Sequence, residues 1–235
     1  MDTSPLTFAQ SAAYAPRLDV LDSTGSTNAD LVAAVSTEPY DWPDGSVLLT
    51  TDQRHGRGRL DREWTTPPGS ALAVSVLVHA DGLPMEARGW LSLISGMAMT
   101  RAVARVLQGT PHTAQLKWPN DVLVDGKKIC GILAEAVRTD DVDGIVVGAG
   151  LNTTMTAEQL PVETATSFAA LGLDVDVDLL LSAYLFTLEE RWGALRATGG
   201  FGAAGAKFAL GFGVFAVISA MMAWGLFGYG AALAV

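Results

Sequence analysis

The sequence predicts an α+β fold in which a mixed, mostly antiparallel sheet is flanked by helices. Three observations carry this prediction. Asp125-Gly126 stands between two apolar runs, a strong signal for a two-residue β-hairpin. Residues 88–107 are long and apolar enough for a helix, and apolar side chains recur at helical spacing in residues 177–196. Hairpins next to long helices favour a sheet covered by helices.

The remaining elements follow from local patterns. Strands are expected at residues 47–51, 71–79, 115–118, 122–124, 127–137 and 144–150. Residues 1–198 form one domain of ordinary size, which is long enough to bury a core. A Gly-rich link at 199–207 and an apolar segment at 208–235 follow it.

A basic loop is the most informative stretch. Residues 53–64 contain four of the eleven arginines of a chain whose net charge is -10. Gly56 and Gly58 alternate with Arg57 and Arg59, so the backbone can approach a ligand closely while planar guanidinium groups bind phosphate or carboxylate oxygens. The pattern indicates an anion-binding loop. A solvated basic loop and a weak nucleic-acid patch are the alternatives.

A second cationic cluster surrounds the predicted hairpin. Lys117-Trp118-Pro119-Asn120-Asp121 precedes it, and Lys127 and Lys128 follow the turn. Strand alternation predicts that Lys128 shares a face with Cys130 and Ile132 and is half buried, while Lys127 points the other way. A lysine in that position needs an anionic partner. The partner is either a bound anion or an internal carboxylate such as Glu135.

Several motifs occur in a fixed order. They are Ser26-Thr27-Asn28, Gln53 with Gly56-Arg57-Gly58-Arg59, Arg62-Glu63-Trp64, Lys117-Trp118-Pro119-Asn120-Asp121, Lys128 with Gly131-Ile132-Leu133, and Gly148-Ala149-Gly150-Leu151-Asn152. As a set they resemble bacterial biotin protein ligases over about residues 18–195. The resemblance implies a fold similar to the catalytic core of class II aminoacyl-tRNA synthetases. It also implies a two-step reaction, in which biotin and ATP form biotinyl-adenylate and the biotinyl group passes to a lysine of a biotin carboxyl carrier protein.

The resemblance assigns residues to this chemistry. The catalytic set is Lys128, Arg59, Lys117 and Asp121. The biotin-binding set is Ser26, Thr27, Gln53, Gly56, Arg57, Trp64, Gly131 and Gly148. The ATP- and adenylate-binding set is Arg57, Arg59, Arg62, Lys117, Asn120, Lys128 and Asn152. Asp121 with Asn120 is the candidate Mg²⁺ site, since Mg²⁺ prefers oxygen ligands and reaches proteins through one or two carboxylates.

Structural readings compete with some of these assignments. Ser26-Thr27-Asn28 is also an ordinary helix start, and a capping residue keeps lone pairs free for a pocket. Trp64 and Trp118 are as suited to a core as to a ligand wall, although the motif favours a wall for Trp64. Cys130, the single cysteine, is expected to be a small buried residue.

The basic loop departs from the family pattern at two positions. Relatives often have a basic residue where Leu60 stands and glycine where Asp61 stands. This loop is therefore less cationic and less flexible than some, and we expect altered ordering rather than lost activity.

Composition limits the kinds of partner and the cell compartment that are expected. The acidic balance, and the 25 residues before Ser26, leave no room for the DNA-binding module of the repressor-type ligases, so no nucleic-acid partner is expected. No secretory signal sequence is recognisable, and a free cysteine suits a reducing compartment, so the catalytic part is expected in the cytoplasm.

The last 28 residues do not fit the family. Residues 208–235 contain no charged side chain, where relatives have a small β-barrel domain. This length is enough for a membrane-spanning helix, which is the expectation; a buried core helix and a fusion or frameshift product are the alternatives. Two other functions compete with biotin ligation: a lipoate or octanoate ligase, and a catalytically impaired, membrane-tethered biotin-binding protein.

Overall fold

The computed structural model describes residues 7–60 and 62–197 of the chain. The chain divides into two compact units, residues 1–192 and 193–235. Of the second unit, only the residues that end the last helix are described. The predicted link at 199–207 and the predicted spanning segment at 208–235 lie outside the described residues. Among the residues described, no helix is long and apolar enough to cross a membrane.

Nine strands and five α-helices make up the described chain. The strands are β1 Leu18–Leu21, β2 Val47–Thr50, β3 Gly56–Arg57, β4 Glu63–Trp64, β5 Ala71–His79, β6 Ala114–Lys117, β7 Asp121–Val124, β8 Lys127–Arg138 and β9 Asp143–Asn152. The helices are α1 Ala9–Ala12, α2 Thr27–Thr37, α3 Met85–Arg88, α4 Leu91–Val106 and α5 Val177–Ala197, with 3₁₀ turns at Pro39–Asp41 and Ala169–Leu171.

The main sheet has seven strands in the order β1-β2-β5-β9-β8-β7-β6. Only β1 and β2 pair in parallel, and every other pair is antiparallel. Strands β3 and β4 form a separate two-stranded ribbon from the basic loop. The predicted mixed, mostly antiparallel α+β architecture is confirmed. The sequence did not predict β1, because its four residues alternate too briefly to stand out.

The central strands form the core. Eight of the nine residues of β5 are buried, as a strand covered on both faces requires. Helix α2 packs against β5, β8 and β9, where Leu31 and Val35 meet Leu77 and Val146. Helix α4 packs against β6 to β9, and its Ser95 hydroxyl lies 2.9 Å from the Tyr184 hydroxyl of α5. The contacts of α2 with β5, β8 and β9 place the start of this helix over the middle of the sheet.

A two-residue turn joins β7 to β8. Asp125 and Gly126 have φ of 49° and 81°, so both adopt the left-handed conformation that a type I′ hairpin turn requires. This confirms the predicted hairpin. A β-bulge lies three residues beyond Gly126, because Val122 pairs with Cys130 while Leu123 pairs with Lys128 and leaves Ile129 as an extra residue.

A carboxylate of α5 holds the described N-terminal segment in place. The Asp178 carboxylate accepts from the backbone N–H groups of Gln10 and Ser11 at 2.9 and 2.8 Å, and from the Ser11 hydroxyl at 2.6 Å. Burial alone would raise the pKa of Asp178, but these hydrogen bonds outweigh it and lower the pKa. The carboxylate therefore caps the first turn of α1 from another helix.

A partly buried ion pair joins α3 to the first residue of β9. Two nitrogens of Arg88 donate to the two Asp143 oxygens at 2.6 Å each, and the same guanidinium also bonds the carbonyls of Ala80 and Leu83. Hydrogen bonds from Arg88 lower the pKa of Asp143. Because the pKa is lower in the folded than in the unfolded protein, this pair stabilises the fold above the unfolded pKa of about 4 and stops doing so at lower pH.

We therefore expect Asp143→Asn to lower the free energy of unfolding at pH 7 by about 1 kcal/mol, a value reduced for partial exposure. The variant should also lose less stability than the wild type between about pH 5 and pH 3. Urea unfolding at a series of pH values measures both effects. Asp140→Asn, at an exposed position, is the control. Equal acid dependence in wild type and Asp143→Asn would contradict the assignment.

Candidate functional site

A cavity of about 350 Å³ opens where the start of α2, the basic loop, the β6–β7 connection and β8 meet. Its size suits a small ligand. Thirteen of the predicted site residues line it: Ser26, Thr27, Gln53, Arg57, Arg59, Arg62, Trp64, Lys117, Asn120, Asp121, Lys128, Gly131 and Gly148. Motifs that are distant in sequence thus share one cavity. Gly56 and Asn152 are not among the lining residues.

One end of the cavity is a buried hydrogen-bonding network. The backbone N–H of Thr27 donates to Gln53 Oε1 at 2.8 Å, and the Thr27 hydroxyl lies 3.2 Å from the same oxygen. The Ser75 hydroxyl lies 2.8 Å from Thr27 Oγ1 and 2.6 Å from Asn28 Oδ1. These four side chains are at most 8% exposed, so they can hold the polar groups of a ligand in one orientation.

Ser26 fits both of its readings. It is the N-cap of α2, and its hydroxyl accepts from the Ala29 N–H at 3.4 Å. It also lines the cavity. The helix cap therefore places this residue at the cavity wall, and the two roles coexist.

Two glycines allow close packing at the cavity floor. A Cβ at Gly150 would lie 2.8 Å from the Trp64 ring, and one at Gly148 would lie 2.3 Å from Asn28 Oδ1. Trp64 therefore lies against the bare backbone of β9, and its half-buried ring forms an apolar wall. Gly56 lies behind this wall as the partner of Trp64 in the β3–β4 ribbon.

Trp118 is 59% exposed and lines the cavity, so the reading of Trp118 as a core residue is wrong. It lies in the β6–β7 connection beside Lys117. A core position would need neighbours on both ring faces, and the connection runs along the cavity rim instead. An exposed aromatic face at a cavity mouth can contact a planar ligand group.

The charged residues that line the cavity are mostly cations, although the chain is acidic. Among the residues described, five cations and two carboxylates line the cavity. The cations are Arg57, Arg59, Arg62, Lys117 and Lys128, and the carboxylates are Glu63 and Asp121. This local excess of positive charge can attract an anionic ligand that the protein as a whole would repel.

Lys128 forms an ion pair with Asp121, whose Oδ1 lies 2.6 Å from the lysine Nζ. The predicted sharing of a face with Cys130 and Ile132 is wrong, because the extra residue Ile129 shifts the alternation. Lys128 instead extends over Gly131, where a Cβ would lie 2.9 Å from Nζ. The predicted half burial is correct, since the Lys128 side chain is 41% exposed.

Glu135 pairs with Arg57 and not with Lys128, the cation that was considered from the sequence. Its carboxylate lies 3.0 Å from Arg57 Nη2 and accepts from Asn28 Nδ2 at 2.8 Å. A Lys128–Glu135 pair is therefore not formed. Arg59 bonds Asn120, with Nη1 donating to Oδ1 at 3.3 Å, while the Asn120 amide donates to the Ile132 carbonyl at 2.7 Å. The basic loop is thus fixed to β8 and to the β6–β7 connection.

Asn152 has a different place from the one assigned to it. Its side chain is 7% exposed, and its amide donates to the Thr166 carbonyl at 2.9 Å. Strand β9 carries Asn152 beyond the cavity, where it joins the end of the strand to the segment that follows. Its contacts indicate a structural contribution.

The candidate Mg²⁺ site does not fit a metal held by protein ligands alone. Asp121 already binds the Lys128 ammonium, and the Asn120 side chain uses its oxygen for Arg59 and its nitrogen for Ile132. In residues 7–60 and 62–197, no group of three or more His, Cys, Asp or Glu side chains could hold a metal ion.

Cys130 has no reactive character. It is 1% exposed, and burial raises the pKa of its thiol to about 12, so the thiolate is not populated at neutral pH. The expectation of a small buried residue is correct.

The site also contains residues that were not among the predicted site residues. Ser75 and Asn28 belong to the buried network, and Glu135 binds the basic loop. A lone serine within the apolar run of β5 carries no local signal. Two signals were available in the sequence. Asn28 directly follows Ser26-Thr27, and Glu135 is a carboxylate on a strand that is otherwise largely apolar.

The arrangement accommodates a ligand with three parts. A polar ring can bond Thr27 and Gln53, an apolar segment can lie on Trp64, and an anionic group can reach Lys128.

Comparisons with known proteins agree with this arrangement. Residues 20–152, more than half of the chain, match the model of the biotin/lipoate A/B protein ligase family.

Individual relatives extend the match. A biotin–[acetyl-CoA-carboxylase] ligase of Mycobacterium tuberculosis is 40% identical over 176 residues, which are 74% of this chain and 64% of that protein. The chain thus spans just under two thirds of the length of this relative. Biotin protein ligase from Aquifex aeolicus in complex with biotin and ATP superposes with a TM-score of 0.63 at 27% identity, covering 77% of this chain and 72% of the other.

A third comparison is the biotin protein ligase of Leishmania major in complex with biotinyl-5-AMP, with a TM-score of 0.61 at 26% identity over 74% of this chain and 73% of the other. The described fold is therefore the catalytic fold of these ligases. From the extent of the family match, the chain belongs to the biotin/lipoate A/B protein ligase family.

Proposed function

We propose that the chain is an ATP-dependent biotin protein ligase, which forms biotinyl-5′-AMP and transfers the biotinyl group to a lysine of a biotin carboxyl carrier protein. The observation that carries this proposal is that one cavity is lined by the buried Thr27–Gln53 pair, by Trp64 and by the cation Lys128. The relatives named for biotin ligation, and the solved structures with biotin, ATP or biotinyl-5-AMP, support it.

In the first step, an oxygen of the biotin carboxylate attacks the α-phosphorus of ATP. A phosphorus–oxygen bond forms, and pyrophosphate leaves with the electrons of the broken bond. Two anions must meet, so fixed cations are needed to offset their repulsion. Lys128 can bind the reacting oxygens once its ammonium exchanges Asp121 for the substrate, and Lys117, Arg59 and Arg62 can bind the phosphates. Mg²⁺ enters the proposal only as a counter-ion that ATP brings.

In the second step, the neutral amine of the acceptor lysine attacks the biotinyl carbonyl carbon. An amide bond forms, the carbon–oxygen bond of the anhydride breaks, AMP leaves, and the amine loses a proton to the surrounding water. The protein's part is to keep the anhydride bound and shielded until the carrier arrives. The basic loop, held by Arg57–Glu135 and Arg59–Asn120, lies where it can cover the intermediate.

The test is incubation of the full chain with biotin, MgATP and an apo biotin carboxyl carrier domain, followed by intact mass measurement of the carrier. We expect one biotinyl group on the carrier. Parallel reactions with lipoate or octanoate and an apo lipoyl domain test the related activity of the family. Lipoyl or octanoyl transfer without biotinyl transfer would overturn the proposal, and so would biotin binding without any transfer.

Retention of the intermediate should depend on Arg59. We expect Arg59→Gly to raise the dissociation rate of biotinyl-adenylate by roughly tenfold, equivalent to one lost charge-assisted hydrogen bond, with a smaller effect on its synthesis. Trapping of the released adenylate measures this rate. Arg54→Gly is the matched control, because Arg54 belongs to the same loop but bonds Asp52 and does not line the cavity. An unchanged dissociation rate in Arg59→Gly would rule out this contribution.

For residues 208–235 the proposal rests on the sequence alone. A helix of these 28 residues would be about 42 Å long, more than the ~30 Å apolar core of a bilayer. Arg191, Arg196 and Lys207 precede the segment, which favours a cytoplasmic ligase domain. We expect the full chain in the membrane fraction and a 1–206 truncation outside it. If both proteins stay in the supernatant after high-speed centrifugation, the membrane-anchor proposal is contradicted.

A further inference from the structure

The Glu135 carboxylate lies between the basic loop and the buried hydrogen-bonding network. Its Oε2 accepts from Arg57 Nη2 at 3.1 Å and from Asn28 Nδ2 at 2.8 Å, and its Oε1 lies 3.0 Å from Arg57 Nη2 as an ion pair. Its side chain is 26% exposed, against 50% for Arg57. One carboxylate on β8 therefore contacts both the loop and the first turn of α2.

The Asn28 side chain has a fixed orientation. Its two amide protons go to Glu135 Oε2 and, at 3.2 Å, to the Leu133 carbonyl, while its oxygen faces the Ser75 hydroxyl at 2.6 Å. Both amide protons are used, the oxygen accepts one hydrogen bond, and the residue is 4% exposed. Because Asn28 Oδ1 can only accept, the single Ser75 proton points to it.

The chain of contacts continues to the ligand end of the cavity. With its proton on Asn28, Ser75 can accept from the Thr27 hydroxyl, 2.8 Å away. Thr27 in turn bonds Gln53 through its backbone N–H. A continuous path thus leads from Arg57 through Glu135, Asn28 and Ser75 to Thr27. The links from Arg57 to Ser75 each have one possible hydrogen-bond direction, and the Thr27 hydroxyl proton can go to Ser75 Oγ or to Gln53 Oε1, 3.2 Å away.

We propose that Glu135 is a positioning residue, which sets the basic loop against the cavity through Arg57 and joins the placement of this loop to the Thr27–Gln53 end through Asn28. The inference deepens the proposed ligase function, on which its kinetic consequences rest. Glu135 is not a catalytic residue, since it acts through Arg57 and Asn28. Arg59 and Arg62 follow Arg57 in the same loop, so an error in the placement of Arg57 displaces the cations that face the phosphates.

Glu135→Gln is the decisive variant because it keeps the shape of the side chain. Glutamine has one acceptor oxygen, and its second terminal atom is a donor. If the oxygen serves Asn28, the amide nitrogen faces the Arg57 donor, and the reverse placement leaves the Asn28 donor opposed. Because Oε2 bonds both partners, a glutamine oxygen in that place keeps the Asn28 bond, but the variant loses the negative charge and sets an amide nitrogen 3.0 Å from Arg57 Nη2, so it weakens the hold on the loop.

The first measurement is hydrogen–deuterium exchange of residues 53–64 in the ligand-free full chain. We expect Glu135→Gln to raise exchange of this peptide by roughly tenfold, equivalent to one lost charge-assisted hydrogen bond, while exchange in β5 and β9 stays unchanged. In an Arg57→Ala background, the same Glu135→Gln change should have little further effect, because its partner in the loop is absent. Glu189→Gln, exposed on α5, is the matched control.

The second measurement is adenylate formation by pyrophosphate release. Glu135→Gln should lower kcat about tenfold with a smaller change in KM for biotin, whereas a purely structural defect would lower the thermal midpoint and raise exchange throughout the sheet. Wild-type loop exchange in Glu135→Gln, or an equal increase with and without Arg57, overturns the proposal. The exchange experiment needs no turnover, so failure of this inference is distinguishable from failure of the proposed ligase function.

Discussion

Replacement of Lys128 by alanine should lower the rate of adenylate formation by on the order of 10² to 10³, the usual cost of losing one donor that stabilises developing charge. The structure adds a reason for a large effect. Lys128 is paired with Asp121 at 2.6 Å, so its removal leaves a carboxylate without its cation beside the cavity that must receive two anions. The measurement is pyrophosphate release with biotin and ATP.

Lys127→Ala is the matched control for this experiment. Lys127 has the same side chain and is the neighbouring residue, but it is exposed and does not line the cavity. The double variant Lys128→Ala/Asp121→Asn separates the two contributions, since it removes the unpaired carboxylate together with the cation. It should recover part of the lost rate. Pyrophosphate release by Lys128→Ala at the wild-type rate would show that this lysine does not stabilise the transition state.

Gly148→Ala should weaken biotin binding by roughly 10- to 100-fold. The added Cβ would lie 2.3 Å from Asn28 Oδ1 and 2.8 Å from Asn28 Cγ, so the buried amide must move. Because this amide makes three hydrogen bonds, displacement breaks one or two buried bonds at about 1–3 kcal/mol each and disturbs Ser75 and Thr27. Titration calorimetry with biotin measures the affinity.

Gly193→Ala makes the same chemical change at a helical position where the added Cβ would meet no atom within 4 Å. This control should bind biotin as the wild type does. Thermal unfolding of both variants separates a local loss of binding from a general loss of stability. Wild-type biotin affinity in Gly148→Ala would show that the contact between β9 and α2 does not shape the binding end.

Local patterns predicted much of this molecule. The turn at Asp125-Gly126 and the cap at Ser26 follow from backbone rules that act within a few residues, and both occur as expected. The motifs also placed most of the proposed residues at one cavity. Gly56 and Asn152 are the exceptions, because Gly56 lies behind Trp64 and the end of β9 carries Asn152 past the cavity.

The ion pairs could not be predicted in the same way. Arg57 and Glu135 are 78 residues apart, and their meeting depends on how the loop crosses β8. The pairing of Lys128 with Asp121 depends on the bulge, for which no residue between Lys127 and Ile132 gave a signal. Ser75 illustrates a third difficulty, since its importance comes entirely from Asn28 and Thr27, which lie over it from another element.

The bulge at Ile129 has a further consequence, for insertions and deletions in this hairpin. Successive side chains of a strand point to opposite faces of the sheet. One residue added or lost in regular pairing therefore moves every side chain on one side of the change to the other face. Ile129 and Cys130 are both buried although they are consecutive, which shows where the alternation changes. Deletion of Ile129 alone would rejoin β8 in regular alternation. Because Lys128 would still pair with Leu123 and Cys130 with Val122, the ammonium would stay on the side of Gly131, so this is the position at which the hairpin can lose a residue without exchanging its two faces.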